Sequence, residues 1–441
     1  MTSVTLPSSV TSIGNFSFNG CSGLTSVVIP SGVESIGFRA FSACSKLTEI
    51  SVGANSQSYS SQNGILYDKA KGRLICCPSG KTGVVSIPTS VTIIEGYAFY
   101  GCRGVMPLPI PSSVISIGDA AFYGCVGLVG DLILPADLTN IGAYAFYGCS
   151  GLTSVSVPSG VMDILEYGFS NCSGLMSVTL PSSVTSIGER AFSGCEMLKS
   201  VTIPACVTKL SSTFPDAYTK IEKVDIVEGV ESVADSLFYG CQSLKTVTMP
   251  SSISSIGGFA FYNCSGLMSI TIPESVTNIE EHAFYRCGGL TVVSIPSSVK
   301  SIGYGAFSEC SKLTRVDITD LGLWCQISFG NATANPLSYA KQLYLNGVKV
   351  NGLTIPSSVE RIAGYAFFNC VGLTSVTIPS TVTSIGEWAF EDCSGLKSVM
   401  IPACVRKLSS IFPDAYGKIE EVDILGSSCM TVGVRSLHNL I

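Results

Sequence analysis

The stretch Cys172-Ser-Gly-Leu175-Met-Ser-Val178-Thr-Leu180-Pro181-Ser-Ser-Val184-Thr-Ser-Ile187-Gly188-Glu-Arg-Ala191-Phe192 carries the logic of the whole chain. Its segment Leu175-x-x-Val178-x-Leu180 ends in a period of two. That spacing predicts a short strand with Val178 and Leu180 inward and Ser177 and Thr179 outward. Pro181 cannot donate to a ladder and closes the strand. Val184, Ile187, Ala191 and Phe192 then line a return path over the same core, and Gly188 falls where a tight turn is expected. Such a unit has too few apolar positions to fold alone. It becomes stable by stacking on copies of itself, which pairs the strands into one parallel sheet.

The copies are present. Phe-x-x-Cys occurs thirteen times, with Cys at 21, 44, 102, 125, 149, 172, 195, 241, 264, 287, 310, 370 and 393. Most neighbouring pairs are 23 residues apart, and one is 24. The gap from Cys195 to Cys241 is 46 residues, two repeats with one Cys missing. The gaps ending at Cys102 and Cys370 are 58 and 60, two repeats plus about a dozen residues. The frame therefore implies about 18 units in a single solenoid over 1–441, with a parallel β-sheet on one face and irregular turns on the other. The expected form is elongated, curved, monomeric and poor in helix. A longer duplication overlies the short one. Residues 175–226 and 373–424 align, and in both Phe-Pro-Asp-Ala-Tyr (Phe214–Tyr218, Phe412–Tyr416) replaces the Phe-x-x-Cys corner.

The repeated pattern resembles the BspA-like, Treponema-type class of leucine-rich repeats over nearly the whole chain. Residues 55–80 resemble that family's inserted β-hairpin, and 319–356 a second recurrent insertion. The resemblance implies a surface-exposed or secreted protein used in adhesion, with a protein partner, a host or extracellular matrix protein among them.

Composition narrows the function classes. The chain has 441 residues, 46% hydrophobic and only 13% charged, with a net charge of −6. There is no basic run, so nucleic-acid binding has no electrostatic footprint. No apolar stretch reaches the roughly 20 residues of a spanning helix, so membrane insertion is not expected. The first residues, MTSVTLPSSV, show no signal peptide. A cytosolic location, another export route or a fragment would each account for that, against the surface location the resemblance implies.

Three readings compete for the Cys column. Metal sites want short-spaced clusters such as C-x2-C, which one Cys per repeat does not supply. Equivalent side chains on stacked strands keep their Cβ atoms nearly 5 Å apart, outside the usual disulfide range of about 3.5–4.5 Å. Buried free thiols packing as small hydrophobes fit best. In the hairpin, the adjacent Cys76 and Cys77 point to opposite faces. His282 occupies a variable slot before Ala283-Phe284, where other repeats carry Arg190, Tyr144 or Trp388, and reads as solvated or partly covered. No nucleophile, metal or phosphate motif is found. The chain is expected to be non-catalytic and to need no cofactor.

The candidate binding residues are the outward strand positions: Ser177, Thr179, Ser200, Thr202, Lys223, Asp225, Thr246, Thr248, Ser269, Thr271, Arg315 and Asp317. Small hydroxyl residues suit a solvated β-face, and the few charges could set partner specificity. A regularly spaced Ser/Thr surface for glycan or ice is the alternative. An enzymatic site near Trp324 and Tyr344, which would need a deep pocket, is a third. The tail 425–441 lacks a corner and is expected to pack loosely over the last coil.

Overall fold

The computed structural model describes residues 2–106, 108–402, 408–425 and 431–433. Contacts divide the chain into two compact units, Met1–Ile221 and Glu222–Ile441, each of which carries the 23-residue frame. Both are parallel β-solenoids with little helix, and together they hold about 18 turns.

One coil is built as its apolar spacing dictates. The forward strand Ser177–Thr179 pairs in parallel with Leu152–Ser156 on one side and Ser200–Ile203 on the other, so Val178 stacks between Val155 and Val201. All three valines are buried, as is Leu180, while Thr179 is exposed. The return path is more regular than expected. Its two residues Ser186–Ile187 form a second strand, paired with Asp163–Ile164. The same narrow ladder joins Ile93–Ile94, Ser116–Ile117 and Asn140–Ile141 in the first unit. In the second it joins Ser232–Val233, Ser255–Ile256, Asn278–Ile279, Ser301–Ile302 and Ser328–Phe329. Two residues are too few to show a period, which is why the return read as irregular.

Between the return strand and Cys lies the corner. There the backbone of one coil bonds the next: Phe99 N donates to Ala121 O at 2.7 Å and Phe122 N to Ala145 O at 2.7 Å. The Phe rings stack into a buried column, with Phe122 to Phe146 at 5.1 Å and Phe146 to Phe169 at 5.2 Å between centroids. The Cys column lies alongside as free thiols. Most of these Sγ atoms donate to the Phe carbonyl of the preceding coil, as in Cys125 to Phe99 at 3.0 Å and Cys172 to Phe146 at 3.2 Å, whereas Cys102 donates to Cys77 O at 3.5 Å. Burial without a strong partner for the thiolate raises these thiols, Cys195 to about 12.

Gly188 is needed for a different reason from the one expected. Its φ is not positive. A Cβ there would lie 2.5 Å from Glu166 N of the neighbouring coil, so the glycine allows close backbone approach. The left-handed backbone falls two residues later, at Arg190 (φ 53°), and at the same slot in Tyr144 (58°), His282 (53°) and Trp388 (55°).

Where Phe-Pro-Asp-Ala-Tyr replaces the corner, a helical turn at Leu210–Thr213 leads into it. Phe214 keeps its place in the column, 5.1 Å from Phe192, and Asp216 Oδ2 accepts from Gly194 N at 2.7 Å. Phe412 repeats this against Phe390. The segment 55–80 holds three strands, Tyr59–Gln62, Ile65–Asp68 and Arg73–Cys76, which extend the return ladder through Leu74 and Ile94. Within it Cys77 is buried and Cys76 half-buried. Segment 319–356 is itself a coil: Ser328–Phe329 joins the return ladder, Leu343–Leu345 joins the forward ladder, and Val348–Lys349 folds back antiparallel on it. Of the tail, Thr431–Gly433 pairs antiparallel with Glu421–Asp423, and Leu425 ends the last forward strand. The remainder, 426–430 and 434–441, lies outside the described residues, and with it the expectation of loose packing there.

Candidate functional site

The forward face places the expected residues as ordered rows. In the first unit Ser154, Ser177 and Ser200 are register partners, as are Ser156, Thr179 and Thr202. Strand alternation and the buried valines between them force this arrangement. Ser177, Ser200 and Thr202 are half-buried and Thr179 is exposed. The row ends at Asp131, which accepts from Ser154 Oγ at 2.5 Å and Thr153 Oγ1 at 3.1 Å. Those two hydrogen bonds hold its carboxyl below the usual range.

In the second unit the charged members of the set are already paired. Lys223 Nζ lies 2.8 Å from Asp225, whose other oxygen accepts from Thr248 at 2.6 Å. Arg315 grips Asp317 through two hydrogen bonds of 2.6 and 2.7 Å, and its guanidinium covers Tyr344 at 4.1 Å. Thr246, Ser269 and Thr271 are exposed. The rows are thus short, and the charges that were to set specificity neutralise one another within a strand.

The corner carries a feature that sequence reasoning missed. Outside the buried Phe column runs a second aromatic column at the surface. In the first unit Tyr100, Tyr123 and Tyr147 stack at 4.8 and 4.6 Å, and Tyr144 stacks on Tyr167 at 4.7 Å. Tyr97 and Tyr144 bridge into that stack at 5.5 and 5.9 Å. In the second unit Tyr239, Tyr262 and Tyr285 stack at 4.5 and 5.1 Å, with Phe259 over His282 at 5.0 Å. All six tyrosines of the first strip are half-buried, so each leaves part of its surface to solvent. His282 is one rung of the second strip, partly covered as expected.

The signal was present in the sequence. Aromatic residues recur two before and one after the Phe of Phe-x-x-Cys, but the first slot also holds Arg, Ser, Ala, Gly and His, and so read as variable surface. Its left-handed backbone disfavours bulky side chains. Stacking between coils offsets that cost, worth about 0.5–1.5 kcal/mol per aromatic pair.

The chain matches the model of the BspA-type leucine-rich repeat region in six copies, over residues 1–65, 79–173, 128–243, 211–332 and 340–439. It belongs to the BspA-type leucine-rich repeat family. Among solved structures it is similar to a leucine-rich repeat protein from Bacteroides ovatus, with 28% identity over 94% of this chain and 88% of that one, and a TM-score of 0.43. A leucine-rich cell surface protein from Faecalibacterium prausnitzii is 26% identical over 85% and 87% of the two chains, with a TM-score of 0.33. A leucine-rich repeat protein from T. pallidum is 27% identical, covering 45% of this chain and 78% of its own, with a TM-score of 0.26. No curated protein matches the chain.

This BspA-type array is therefore a member of a family of surface repeats that generally bind proteins and are typically non-catalytic. Among its described residues no three His, Cys, Asp or Glu side chains converge as metal ligands, and no helix is long and apolar enough to cross a membrane. Trp324, once a candidate for a reactive pocket, is buried and donates its Nε1 proton to Ala366 O at 2.9 Å.

Proposed function

We propose that the chain is a non-catalytic adhesion module, exported to the cell surface or secreted, that engages a protein partner through the tyrosine strip of its corners. The stacked run from Tyr97 to Tyr167 carries this reading. Tyrosine gives large, rigid, amphipathic contact area for little side-chain entropy, and it is enriched where protein interfaces concentrate their energy. Here the rings are fixed beforehand by their neighbours, which lowers the ordering cost of binding. The forward rows through Ser177, Thr179, Ser200 and Thr202 form a second, weaker contact face of the same partner class.

The test is capture of immobilised extracellular matrix and host-surface proteins by the wild-type chain and by a Tyr100→Ser/Tyr123→Ser/Tyr147→Ser variant. Saturable binding that the triple variant loses supports the strip. Binding that survives it but vanishes in Thr179→Lys/Thr202→Lys moves the site to the forward face. Absence of binding to every protein offered, together with turnover of a substrate, overturns the reading.

A further inference from the structure

Each long insertion interrupts the return ladder, and each leaves a cleft at the interruption. In the first unit Ser35–Ile36 ends one ladder and the inserted Tyr59–Gln62 begins the next. The cleft there has a volume of about 630 Å³ and is bounded by Phe38, Arg39, Tyr59, Arg73, Tyr97 and Asp119, among others. In the second unit Ser328–Phe329 ends a ladder and Arg361–Ile362 begins another. That cleft has a volume of about 670 Å³, with Phe329, Glu360, Arg361, Tyr365, Glu387 and Trp388 on its walls.

The two are built from the same parts. The first regular corner after each insertion reads Gly-Tyr-Ala-Phe, at Gly96–Phe99 and Gly364–Phe367, and no other corner in the sequence does. One coil further on, each cleft is lined by an acidic residue whose backbone lies against that glycine, Asp119 and Glu387. An arginine heads a return strand at each, Arg73 and Arg361, where regular return strands begin with Ser, Asn, Asp or Ile. Each tyrosine is part of an aromatic wall: Tyr97 meets Phe38 edge-on at 5.0 Å, and Tyr365 stacks on Trp388 at 5.1 Å. Trp388 is 46% exposed.

We propose that each cleft binds a neutral saccharide, its ring packed against the Phe38–Tyr97 wall beside Arg39 in the first unit and on the Tyr365–Trp388 wall in the second. The apolar C–H face of a pyranose fits the electron-rich face of an aromatic ring. Its hydroxyls are at once donors and acceptors, and so use guanidinium and carboxylate together. An anionic ligand would meet Glu360 and Glu387, or Asp68 and Asp119; a cationic one would meet Arg361, or Arg39 and Arg73. An apolar peptide side chain would strip water from these groups without replacing it. In the first cleft Arg73 pairs with Glu95, and Asp119 Oδ1 accepts from Ala143 N at 2.9 Å. Arg39 is left with its guanidinium 4.5 Å above Tyr97 and a buried Nε that has no hydrogen-bond partner among the described residues.

Tryptophan reports the second cleft directly, since the chain has only two and Trp324 is 2% exposed. The full chain is titrated with maltose, cellobiose, lactose, mannobiose and chitobiose, following emission and iodide quenching. At least one sugar is expected to shield Trp388 saturably, with affinity about tenfold lower in Trp388→Gly by isothermal titration. Glycine suits the left-handed backbone at that position, so the variant loses the ring without new strain. Glu387→Gln provides a second loss that leaves the stack intact. For the first cleft, saturation-transfer NMR of the same sugar should lose its remaining signal when Tyr97→Ala is added to Trp388→Gly. No shielding by any sugar, unchanged affinity in Trp388→Gly and Glu387→Gln, or preference for a uronate-containing disaccharide overturns the proposal.

Discussion

Two aromatic columns run side by side through the corners of the first unit, and they differ in what they face. Phe122, Phe146 and Phe169 are fully buried and stack at 5.1 and 5.2 Å; Tyr123 and Tyr147, one residue further along, stack at 4.6 Å and are half-buried. The spacing is nearly the same, because the coil-to-coil hydrogen bonds fix both. The inner column stabilises the array by excluding water. The outer one is only half-buried and keeps part of its surface in water. Nearly the same stacking geometry thus gives a buried stability element and, one residue further along, the strip proposed above as the recognition element.

The largest effect should come from breaking the inner column. Phe146→Ala is expected to cost about 3–5 kcal/mol, read as a lowered urea midpoint in far-UV circular dichroism. A cost near that of a surface substitution would mean that the column is not the core.

The thiols beside that column give the next effect, through pH. Burial raises Cys195, Cys241 and Cys310 to about 12, against about 8.5 for a free thiol. The folded state therefore holds these protons more tightly than the unfolded chain. The stability this supplies is complete below about pH 8.5 and is lost as pH rises towards 12. Melting temperatures from pH 7 to 11 should fall with a slope that shrinks in Cys195→Ser. An unchanged slope in that variant would assign the alkaline loss to other groups.

The outer column should behave in the opposite sense. Tyr147→Ala is expected to cost about 1 kcal/mol of stability yet weaken partner binding about tenfold or more. Equal losses in both measurements would erase the distinction between the columns. The smallest effect tests the left-handed slot beside them. Ala120 has φ 50°, so Ala120→Gly should raise stability by up to about 1 kcal/mol. Ala98→Gly, at a slot without positive φ, should lower it by a similar amount. The same sign for both would show that the slot is unstrained.

The forward strands, the buried residues Val178, Leu180, Ala191 and Phe192, and the replacement corner at Phe214 were legible because each repeats in a fixed frame. The return ladder was not, since Ser186–Ile187 presents no alternation to read. The tyrosine strip was hidden for a different reason. Tyr144, Arg190, His282 and Trp388 share a slot but not a chemistry, and only the stacked coils bring Tyr144 against Tyr167. The alternation of Ser177 and Thr179 with the buried Val178 was legible from the period of two. Their charged neighbours Lys223 and Asp225 were legible as charges but not as a pair, because two residues of one strand face each other only once the alternation is realised in space.

In most regular coils the thiol grips the Phe carbonyl of the coil before it, as Cys172 grips Phe146 and Cys195 grips Phe169. A coil so bonded is fastened to its immediate neighbours, apart from places such as Phe38 and Tyr97, where an insertion brings coils two apart into contact. Under tension applied at one end, such a chain does not rupture at once. It yields coil by coil, each of about 23 residues releasing roughly 80 Å of extended chain. On the reading proposed above, an array of this kind holding a partner against flow would lengthen under load before it let go.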